Sequence, residues 1–171
     1  MKRNTMHGHS KMTLQCDSKG IGKKSSIRLP RRVQQPSQKT VKKNAWRHFS
    51  KFIRLRDALK TTGTLTHVKC LTCGKLLQIS FCDAGHFVSR RYKDTLFDER
   101  NVNTQCRYCN RFLDGNLLEY RRQIIRLYGE GIDTELETKS RQLKKYTVDE
   151  LTKLAECYKL KCKELINETP M

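Results

Sequence analysis

The sequence predicts a small α+β domain that is held together by a structural zinc site, flanked by α-helices and preceded by a basic arm. Two Cys-x-x-Cys pairs, Cys70/Cys73 and Cys106/Cys109, enclose 32 residues that contain two short strand-like segments and a polar loop. Apolar residues at helical spacing lie on both sides of this segment. The first 43 residues have few large apolar side chains and many Lys and Arg.

Composition limits the size of the domain and the class of its partners. A chain of 171 residues fits one domain with extensions, since domains commonly have about 100–200 residues. The hydrophobic fraction of 36% argues against an extensive core, and the net charge of +19 favours a polyanionic partner. No apolar run approaches the roughly 20 residues of a membrane span, and the N-terminus has no secretion signal. We therefore expect a cytoplasmic protein with no membrane partner.

Three segments are predicted. Residues 1–43 carry twelve Lys or Arg and a single acid, Asp17, and are expected to form a disordered arm, because they cannot bury enough apolar area to offset the entropy of ordering. The arm is either a solubilising leader or a tail that binds nucleic acid non-specifically. Residues 44–130 form the zinc-stabilised domain, and residues 131–171 form a helical extension.

An amphipathic helix is predicted from Asn44 to a break at residues 61–63. Trp46, Phe49 and Ile53 recur at helical spacing, and we assign this stripe to core packing rather than to base stacking. Basic residues follow another face of the same helix and are candidate phosphate contacts: Lys43, Arg47, Lys51 and Arg54.

Two short strands are predicted between the cysteine pairs, at residues 76–81 and 84–88. A polar loop follows and runs to Asn101, with Arg90, Arg91 and Lys93 as candidate DNA contacts. The second cysteine pair is expected to open a helix that ends at Gly115.

Three further helices are predicted downstream. Capping boxes are expected at Asn116/Glu119 and at Thr147/Glu150, and Asp133 is expected to cap a shorter helix between them. The candidate DNA contacts in this region are Arg121, Arg122 and Arg126.

The four paired cysteines are predicted to bind zinc. A Cys-x-x-Cys turn lets two thiolates face one ion, and two such turns complete a tetrahedral site. Disulfides are the less favoured interpretation, because the chain is Lys/Arg-rich and has no secretion signal. His67 is a competing ligand, although four thiolates already fill the site. The remaining cysteines are taken as ordinary thiols: Cys16, Cys82, Cys157 and Cys162.

The segment between the cysteines also carries the side chains needed for phosphodiester hydrolysis. His86 can take a proton from water near neutral pH, and Mg²⁺ or Mn²⁺ can bind the scissile phosphate. Oxygen ligands from Asp or Asn suit such a cation, and Asp83, Asn101 and Asn110 lie in or beside the module.

Several motifs in this order resemble the NinG family of lambdoid phage recombination proteins, also called Rap. In the order of the chain they are Phe52-Ile-Arg-Leu-Arg-Asp57, Asp83-Ala-Gly-His86, Phe97-Asp-Glu-Arg-Asn101, Gln105-Cys-Arg-Tyr-Cys-Asn110, and Leu113-Asp-Gly-Asn116 with Tyr120-Arg121. The resemblance covers roughly residues 44–130.

The resemblance implies a ββα-metal, HNH-like nuclease fold and a structure-selective endonuclease that cuts branched DNA, including Holliday junctions and displacement loops. It assigns the general base to His86, the orientation of that histidine to Asn101, and the catalytic Mg²⁺ or Mn²⁺ to Asn110. Gly85 stands where the usual pattern has an acidic metal ligand. Asp83 is one substitute, and Asn110 acting largely alone is the other. Asn103 competes for either asparagine role.

Two other functions are left open: a zinc-containing nucleic-acid-binding protein without catalysis, and a sequence-specific HNH homing or restriction nuclease. The expected partner is branched double-stranded DNA. Symmetrical resolution of a junction needs two cuts, so a homodimer is an open alternative, as is contact with a phage or host recombinase. The phage resemblance implies the cytoplasm of the host cell.

Overall fold

A computed structural model describes residues 36–169 of the chain. The elements are, in order, helix α1 (Gln38–Thr62), strands β1 (His67–Lys69) and β2 (Leu76–Gln78), a 3₁₀ turn (Ile79–Phe81), strands β3 (Cys82–His86) and β4 (Val102–Cys106), a π-helical turn (Tyr108–Phe112), and helices α2 (Leu117–Tyr128), α3 (Ile132–Ser140) and α4 (Val148–Asn167). The fold is therefore mixed α+β, as the sequence predicts.

Helix α1 starts six residues before the predicted start at Asn44. The hydroxyl of Ser37 caps the helix by accepting the backbone N–H of Thr40 at 3.3 Å, and Val41 is already buried in the core. Residues 38–43, which were expected in a disordered arm, are therefore helical. The helix ends at Gly63, whose φ of 67° is the left-handed conformation that favours glycine. The predicted arm up to residue 35, including Cys16, lies outside the described residues.

The strands form two separate two-stranded antiparallel sheets, β1–β2 and β3–β4. The two segments predicted as strands contain β2 and β3, but they do not pair with each other. Residues 79–81 form the 3₁₀ turn, and β3 ends at His86 rather than at residue 88. The partner of β3 is β4, in which Asp83 lies opposite Gln105 and His86 opposite Val102.

Strand β4 was not predicted, because its sequence Val-Asn-Thr-Gln-Cys lacks the alternation of apolar and polar residues that marks a half-buried strand. All five residues are buried. Their polar side chains lie inside the domain, where other parts of the chain supply most of the hydrogen bonds.

The helix predicted after the second cysteine pair is a single π-helical turn. Gly115 has a φ of 85°, as expected for the residue that ends it. Asn116 precedes α2 in a left-handed conformation and makes no capping hydrogen bond, while Glu119 binds Gln123 and Arg122. The capping box predicted there is therefore wrong.

The other two predicted caps have opposite outcomes. Asp133 lies in the first turn of α3, after the N-cap Gly131, and its carboxylate pairs with Arg121. It is not the cap. The capping box before α4 is confirmed, because the Thr147 hydroxyl accepts the N–H of Glu150 at 3.2 Å and the Glu150 carboxylate accepts the N–H of Thr147 at 2.7 Å.

The main core lies between α1, α4 and one face of the β3–β4 hairpin. Phe49 of α1 meets the edge of Tyr158 of α4, with ring centroids 4.8 Å apart, and Phe52 packs beside them. The C-terminal helix thus covers α1. A smaller cluster joins α2 and α3 to the residues after β3, and its fully buried members include Tyr120, Ile124 and Leu136.

A buried ion pair fixes α1 to β4. The guanidinium of Arg56 contacts the Asp57 carboxylate at 2.8 Å and donates to the backbone carbonyls of Glu99 and Val102. Asp57 accepts the backbone N–H of Thr104 at 2.7 Å. These contacts give a structural role to the end of the Phe52–Asp57 motif.

No helix among residues 36–169 combines the length and the apolar character needed to cross a membrane.

Candidate metal centre and histidine site

The four paired cysteines come together at one point between β1 and the π-helical turn. The sulfur atoms of Cys70, Cys73, Cys106 and Cys109 all lie within 4.8 Å of one another. A tetrahedral zinc ion with Zn–S bonds of about 2.3 Å sets its sulfurs about 3.8 Å apart, and Sγ of Cys73 lies 3.9 Å from Sγ of Cys106. The cluster could therefore hold a metal such as zinc. Among residues 36–169 the cysteine cluster includes no histidine, so the competing ligand His67 does not belong to this candidate metal site.

Hydrogen bonds prepare one thiol of the cluster for ionisation. Burial raises the pKa of Cys70, but hydrogen bonds from the Thr72 hydroxyl and from backbone amides, among them that of Cys106 at 3.2 Å, outweigh it and lower the pKa to about 7. Burial raises the pKa of Cys109 to about 12. A metal that binds here must therefore displace protons from the cluster, and its affinity will depend on pH.

His86 lies at the end of β3, on the face of the hairpin that is covered by α1. Its Nε2 is 3.3 Å from the backbone carbonyl oxygen of Leu96. Because a carbonyl only accepts hydrogen bonds, Nε2 carries the proton of the neutral ring, which leaves the Nδ1 lone pair as the basic site. Burial, with a smaller contribution from Arg90, lowers the pKa of His86 to about 4. The imidazole is therefore neutral at pH 7.

Trp46 covers one face of His86. The two ring centroids are 5.0 Å apart and the planes are 20° from parallel. The guanidinium carbon of Arg90 lies 5.6 Å from the centroid of the indole. The aromatic stripe of α1 thus includes core residues, as predicted, and also a ring that stacks on the candidate base.

Asn101 makes no hydrogen bond to His86. Its fully buried side chain accepts the N–H of Val88 at 2.7 Å and donates to the carbonyls of Val88 at 3.1 Å and Thr95 at 2.9 Å. These bonds close the loop between β3 and β4 just before Leu96, which holds the imidazole. Any influence of Asn101 on His86 is therefore exerted through the loop backbone.

Asp83 and Asn110 are in contact, and Arg111 completes the group. The Asp83 carboxylate accepts two bonds from the Arg111 guanidinium, at 2.7 and 2.8 Å, and one from the Asn110 amide at 3.1 Å. Partial burial opposes the charge of Asp83, but the bonds from Arg111 and Asn110 outweigh it and hold its pKa below the usual value. Arg111 was not among the predicted site residues, although its position next to Asn110 could have suggested it.

These residues line an open cavity of about 480 Å³ between α1, β3 and the π-helical turn. Its walls are formed by Trp46, Ser50, Arg54, Cys82, Asp83, Ala84, Arg90, Asn110 and Arg111. Of the predicted site residues, the cavity brings together Asp83, Asn110, Arg54 and Arg90. His86 and Asn101 are not in its walls, and Trp46 is the lining residue that contacts His86.

Asn103, the competitor for the asparagine roles, lies elsewhere. Its side-chain oxygen accepts from Arg56 at 3.0 Å and from the Tyr128 hydroxyl at 3.2 Å, and its amide nitrogen lies 3.3 Å from the Tyr120 hydroxyl. These contacts join α1 to α2, so the Asn103 oxygen is already occupied.

The predicted DNA contacts differ in their availability. Exposed side chains with no ion pair to another described residue are Lys43, Arg47, Lys51, Arg90, Arg91, Lys93 and Arg126. Arg54 is half-buried and donates to the carbonyls of Ser50, Ile79 and Cys82.

Two of the α2 arginines are engaged with acidic side chains. Arg121 pairs with Asp133 and Glu137, and Arg122 lies 3.3 Å from Glu119.

One basic residue near the site, Lys42, was not among the predicted DNA contacts. Burial, followed by the charges of Lys93 and Arg90, lowers the pKa of Lys42. The three cations therefore lie near one another, and Arg90 connects this positive group to Trp46, the ring that stacks on the candidate base.

Comparisons with known proteins point to one phage protein family. A family model described as bacteriophage lambda NinG protein matches residues 2–168. A protein named ninG from Escherichia phage 933W is 33% identical over 126 residues, which are 73% of this chain and 58% of the relative. The ninG proteins of Escherichia phage lambda and Salmonella phage P22 are each 32% identical over 73% and 72% of this chain, and over 57% and 56% of their own lengths.

The matched region therefore spans less than three-fifths of these curated relatives. No solved structure matches the chain. The family match extends over almost all of the sequence, so the chain belongs to the NinG family of phage proteins.

Proposed function

We propose that the protein is a metal-dependent endonuclease that cuts branched DNA. The observation that carries this proposal is the neutral His86, held through Nε2 by a backbone carbonyl at the end of a β-hairpin whose other strand leads into the turn that bears Asn110. A first strand that ends in a histidine, a second strand paired with it and then a short helix form the arrangement expected of an HNH-like ββα nuclease.

His86 has the protonation state that a general base needs. Its pKa of about 4 keeps the ring neutral at pH 7, so Nδ1 is free to accept a proton, while the same burial makes the ring a weaker base than an exposed imidazole. The stack on Trp46 covers a ring face, whereas the Nδ1 lone pair lies in the plane of the ring. The stack therefore restrains the imidazole without consuming the nitrogen that accepts a proton.

A divalent cation, Mg²⁺ or Mn²⁺, would neutralise the developing charge on the scissile phosphate and assist the leaving oxygen. Among the predicted site residues, Asn110 has the side-chain oxygen best suited to bind this cation. The Asp83 carboxylate is less suited, because it already accepts hydrogen bonds from Arg111 and from Asn110. Arg54 and Arg90, in the same cavity, suit the remaining phosphate charge.

The surface around the cavity suits a nucleic-acid backbone. The basic group formed by Lys42, Arg90 and Lys93 continues onto the exposed lysines and arginines of α1. On the π-helical turn, Tyr108 and Phe112 are 62% and 76% exposed and stack on each other at 6.1 Å, a geometry that also suits unpaired bases at a branch point. Recognition of backbone shape rather than base edges is expected.

In this proposal the four thiolates bind zinc and act as a scaffold. The zinc fixes the end of β4 and the π-helical turn, and so positions Asn110. A homodimer, contact with a recombinase and residence in the host cytoplasm stay predictions of the same proposal.

A second candidate is a zinc-containing nucleic-acid-binding protein without catalysis. It is favoured by one observation: His86 does not line the cavity and is covered on one face by Trp46. A sequence-specific HNH nuclease shares the chemistry of the first candidate and differs only in its substrate.

Cleavage assays on zinc-loaded protein separate these functions. Labelled four-way junctions, three-strand junctions and linear duplexes are incubated with Mg²⁺ or Mn²⁺, or without added divalent ion, since a strong chelator would also remove zinc. We expect cleavage of branched substrates that His86→Ala abolishes while junction binding survives, and that His67→Ala leaves unchanged. Binding without cleavage in either ion would exclude the nuclease, and cleavage of specific linear sites would favour the third function.

A further inference from the structure

Gly85 lies at the point where the HNH-like pattern would have an acidic metal ligand, and the space beside it is filled from the neighbouring strand. A Cβ atom built on Gly85 would be 2.1 Å from Oε1 of Gln105 and 2.9 Å from Oδ1 of Asn110. Both distances are shorter than any normal contact, so these two oxygens occupy the place of a side chain at position 85. We call this space the Gly85 notch.

Gln105 is fully buried, and its Oε1 has no hydrogen-bond partner among the described residues. A buried acceptor without a partner costs about 1–3 kcal/mol. The orientation of the amide is fixed at its other end, because Nε2 donates to the Gly115 carbonyl at 2.7 Å and to the Thr72 hydroxyl at 3.2 Å. Turning the amide over would bring two carbonyl oxygens together, so Oε1 must face the Gly85 notch.

Asn110 is oriented by the same principle. Its Nδ2 donates to the Asp83 carboxylate, which can only accept, so Oδ1 faces away from Asp83 and toward the notch. Arg111 holds Asp83 in turn. Two amide oxygens, each directed by an acceptor bonded to its own nitrogen, therefore both face the Gly85 notch, and no described residue donates a hydrogen bond to Gln105 Oε1.

Amide oxygens are hard ligands of the kind that Mg²⁺ and Mn²⁺ accept. We propose that Gln105 Oε1 and Asn110 Oδ1 jointly supply the protein ligands of the divalent cation in place of a side chain at position 85, and that Asp83 positions Asn110 without binding the ion. This assignment rests on the proposed function for its role in cleavage, but the cation site itself can be measured without DNA.

The cysteine cluster connects to this site. The Thr72 hydroxyl that accepts from Gln105 lies 3.5 Å from Sγ of Cys70, and Gln105 directly precedes Cys106. The scaffold thus fixes Gln105 as well as Asn110, and a variant at Gln105 must be checked for zinc content before its effect is interpreted.

The test is paramagnetic broadening of NMR signals by Mn²⁺ in zinc-loaded protein, with Mg²⁺ as the competing diamagnetic ion. In the wild type, millimolar Mn²⁺ should broaden the Gly85 backbone amide and the side-chain amides of Gln105 and Asn110, and excess Mg²⁺ should restore them. Gln105→Met, which keeps the length of the side chain and removes the oxygen, should abolish broadening at Gly85 while zinc content is unchanged.

A compensating double variant guards against a purely structural effect. Gly85→Asp alone should disrupt the hairpin, because its side chain collides with Gln105. Gly85→Asp combined with Gln105→Ala should fold, restore the broadening and bind Mn²⁺ roughly tenfold more tightly than the wild type, since a carboxylate replaces an amide.

Three results would overturn the assignment: no Mn²⁺ broadening near Gly85 in the wild type, broadening that persists in zinc-loaded Gln105→Met, or broadening abolished by Asp83→Asn but not by Gln105→Met. Cleavage is measured separately. Mn²⁺ binding at the notch without cleavage would support the cation site and reject the nuclease. Cleavage together with Mn²⁺ binding that Gln105→Met does not change would support the nuclease and reject the cation site.

Discussion

The imidazole of His86 is held between the indole of Trp46, 5.0 Å away, and the carbonyl of Leu96, 3.3 Å from its Nε2. The first contact comes from α1 and the second from the loop between β3 and β4. Burial lowers the pKa of His86 and outweighs the Leu96 carbonyl, whose hydrogen bond favours the imidazolium form. The histidine is thus kept neutral by its surroundings, which has a consequence for stability as well as for chemistry.

The stability of the domain should fall as the pH decreases from 6.5 to 4. The pKa of His86 is about 4 in the folded protein and 6.5 in an exposed histidine, so over this range the unfolded chain binds the proton more readily. The difference in the pKa of His86 between the folded and unfolded states contributes about 3 kcal/mol of unfolding free energy at most, and this contribution is fully present above pH 6.5. Urea denaturation at several pH values measures it.

Loss of zinc at low pH also destabilises the protein, so the wild type alone does not isolate the histidine. We expect the His86→Gln variant to have a shallower decrease than the wild type between pH 6.5 and 4, and His67→Gln to follow the wild type. Parallel curves for the wild type and His86→Gln would show that His86 titrates alike in the folded and unfolded states.

Zinc should bind to the four-cysteine cluster and to no other group of thiols in the described chain. Cys70→Ser removes the thiol with the lowered pKa and should abolish stoichiometric zinc binding and reduce the folded fraction. Cys157, an exposed thiol on α4, is the matched control, and Cys157→Ser should retain zinc. Metal analysis of purified protein and circular dichroism measure the two effects. Zinc retained in Cys70→Ser would contradict the ligand set.

The sequence predicted the cysteine cluster because Cys-x-x-Cys spacing is itself a geometric constraint, and it predicted helix α4 because the Thr147/Glu150 box is a local signal. It did not predict β4, since the buried Asn103 and Gln105 depend on partners far along the chain. For the same reason the contacts of His86 with Trp46 and of Gln105 with the Gly85 notch could not be derived. They arise from the packing of elements that are separated in sequence.

The buried pair of Arg56 and Asp57 should be essential for docking α1 onto β4. Arg56→Met leaves the Asp57 carboxylate buried without its partner and frees the carbonyls of Glu99 and Val102, at a cost of about 3–5 kcal/mol. Lys153→Met removes one member of the exposed pair with Asp149 and should leave the unfolding free energy nearly unchanged. Equal effects of the two substitutions in urea denaturation would show that the buried pair adds nothing beyond a surface pair.

Asn101 should act on His86 only through the loop. Asn101→Ala leaves the N–H of Val88 and the carbonyls of Val88 and Thr95 without their partners, and should cost about 2–4 kcal/mol of unfolding free energy. Asn101→Asp retains the acceptor for Val88 but sets a carboxylate oxygen against the two carbonyls, so it should not rescue stability. Hydrogen exchange at the Val88 amide should therefore accelerate strongly in Asn101→Ala and less in Asn101→Asp.

The NMR signals of the His86 ring should also respond to substitutions at Asn101. If Asn101 positions Leu96, the ring signals of His86 should shift in both Asn101 variants, because its Nε2 bond loosens, while zinc content stays the same. Asn44→Ala is the matched control, because Asn44 lies on the surface of α1 and its side chain only accepts a hydrogen bond from Arg47. This substitution should leave the His86 ring signals unchanged. Unchanged His86 signals in a folded Asn101→Ala protein would mean that Leu96 is held by the hairpin itself, and that the buried amide stabilises the loop without reaching the site.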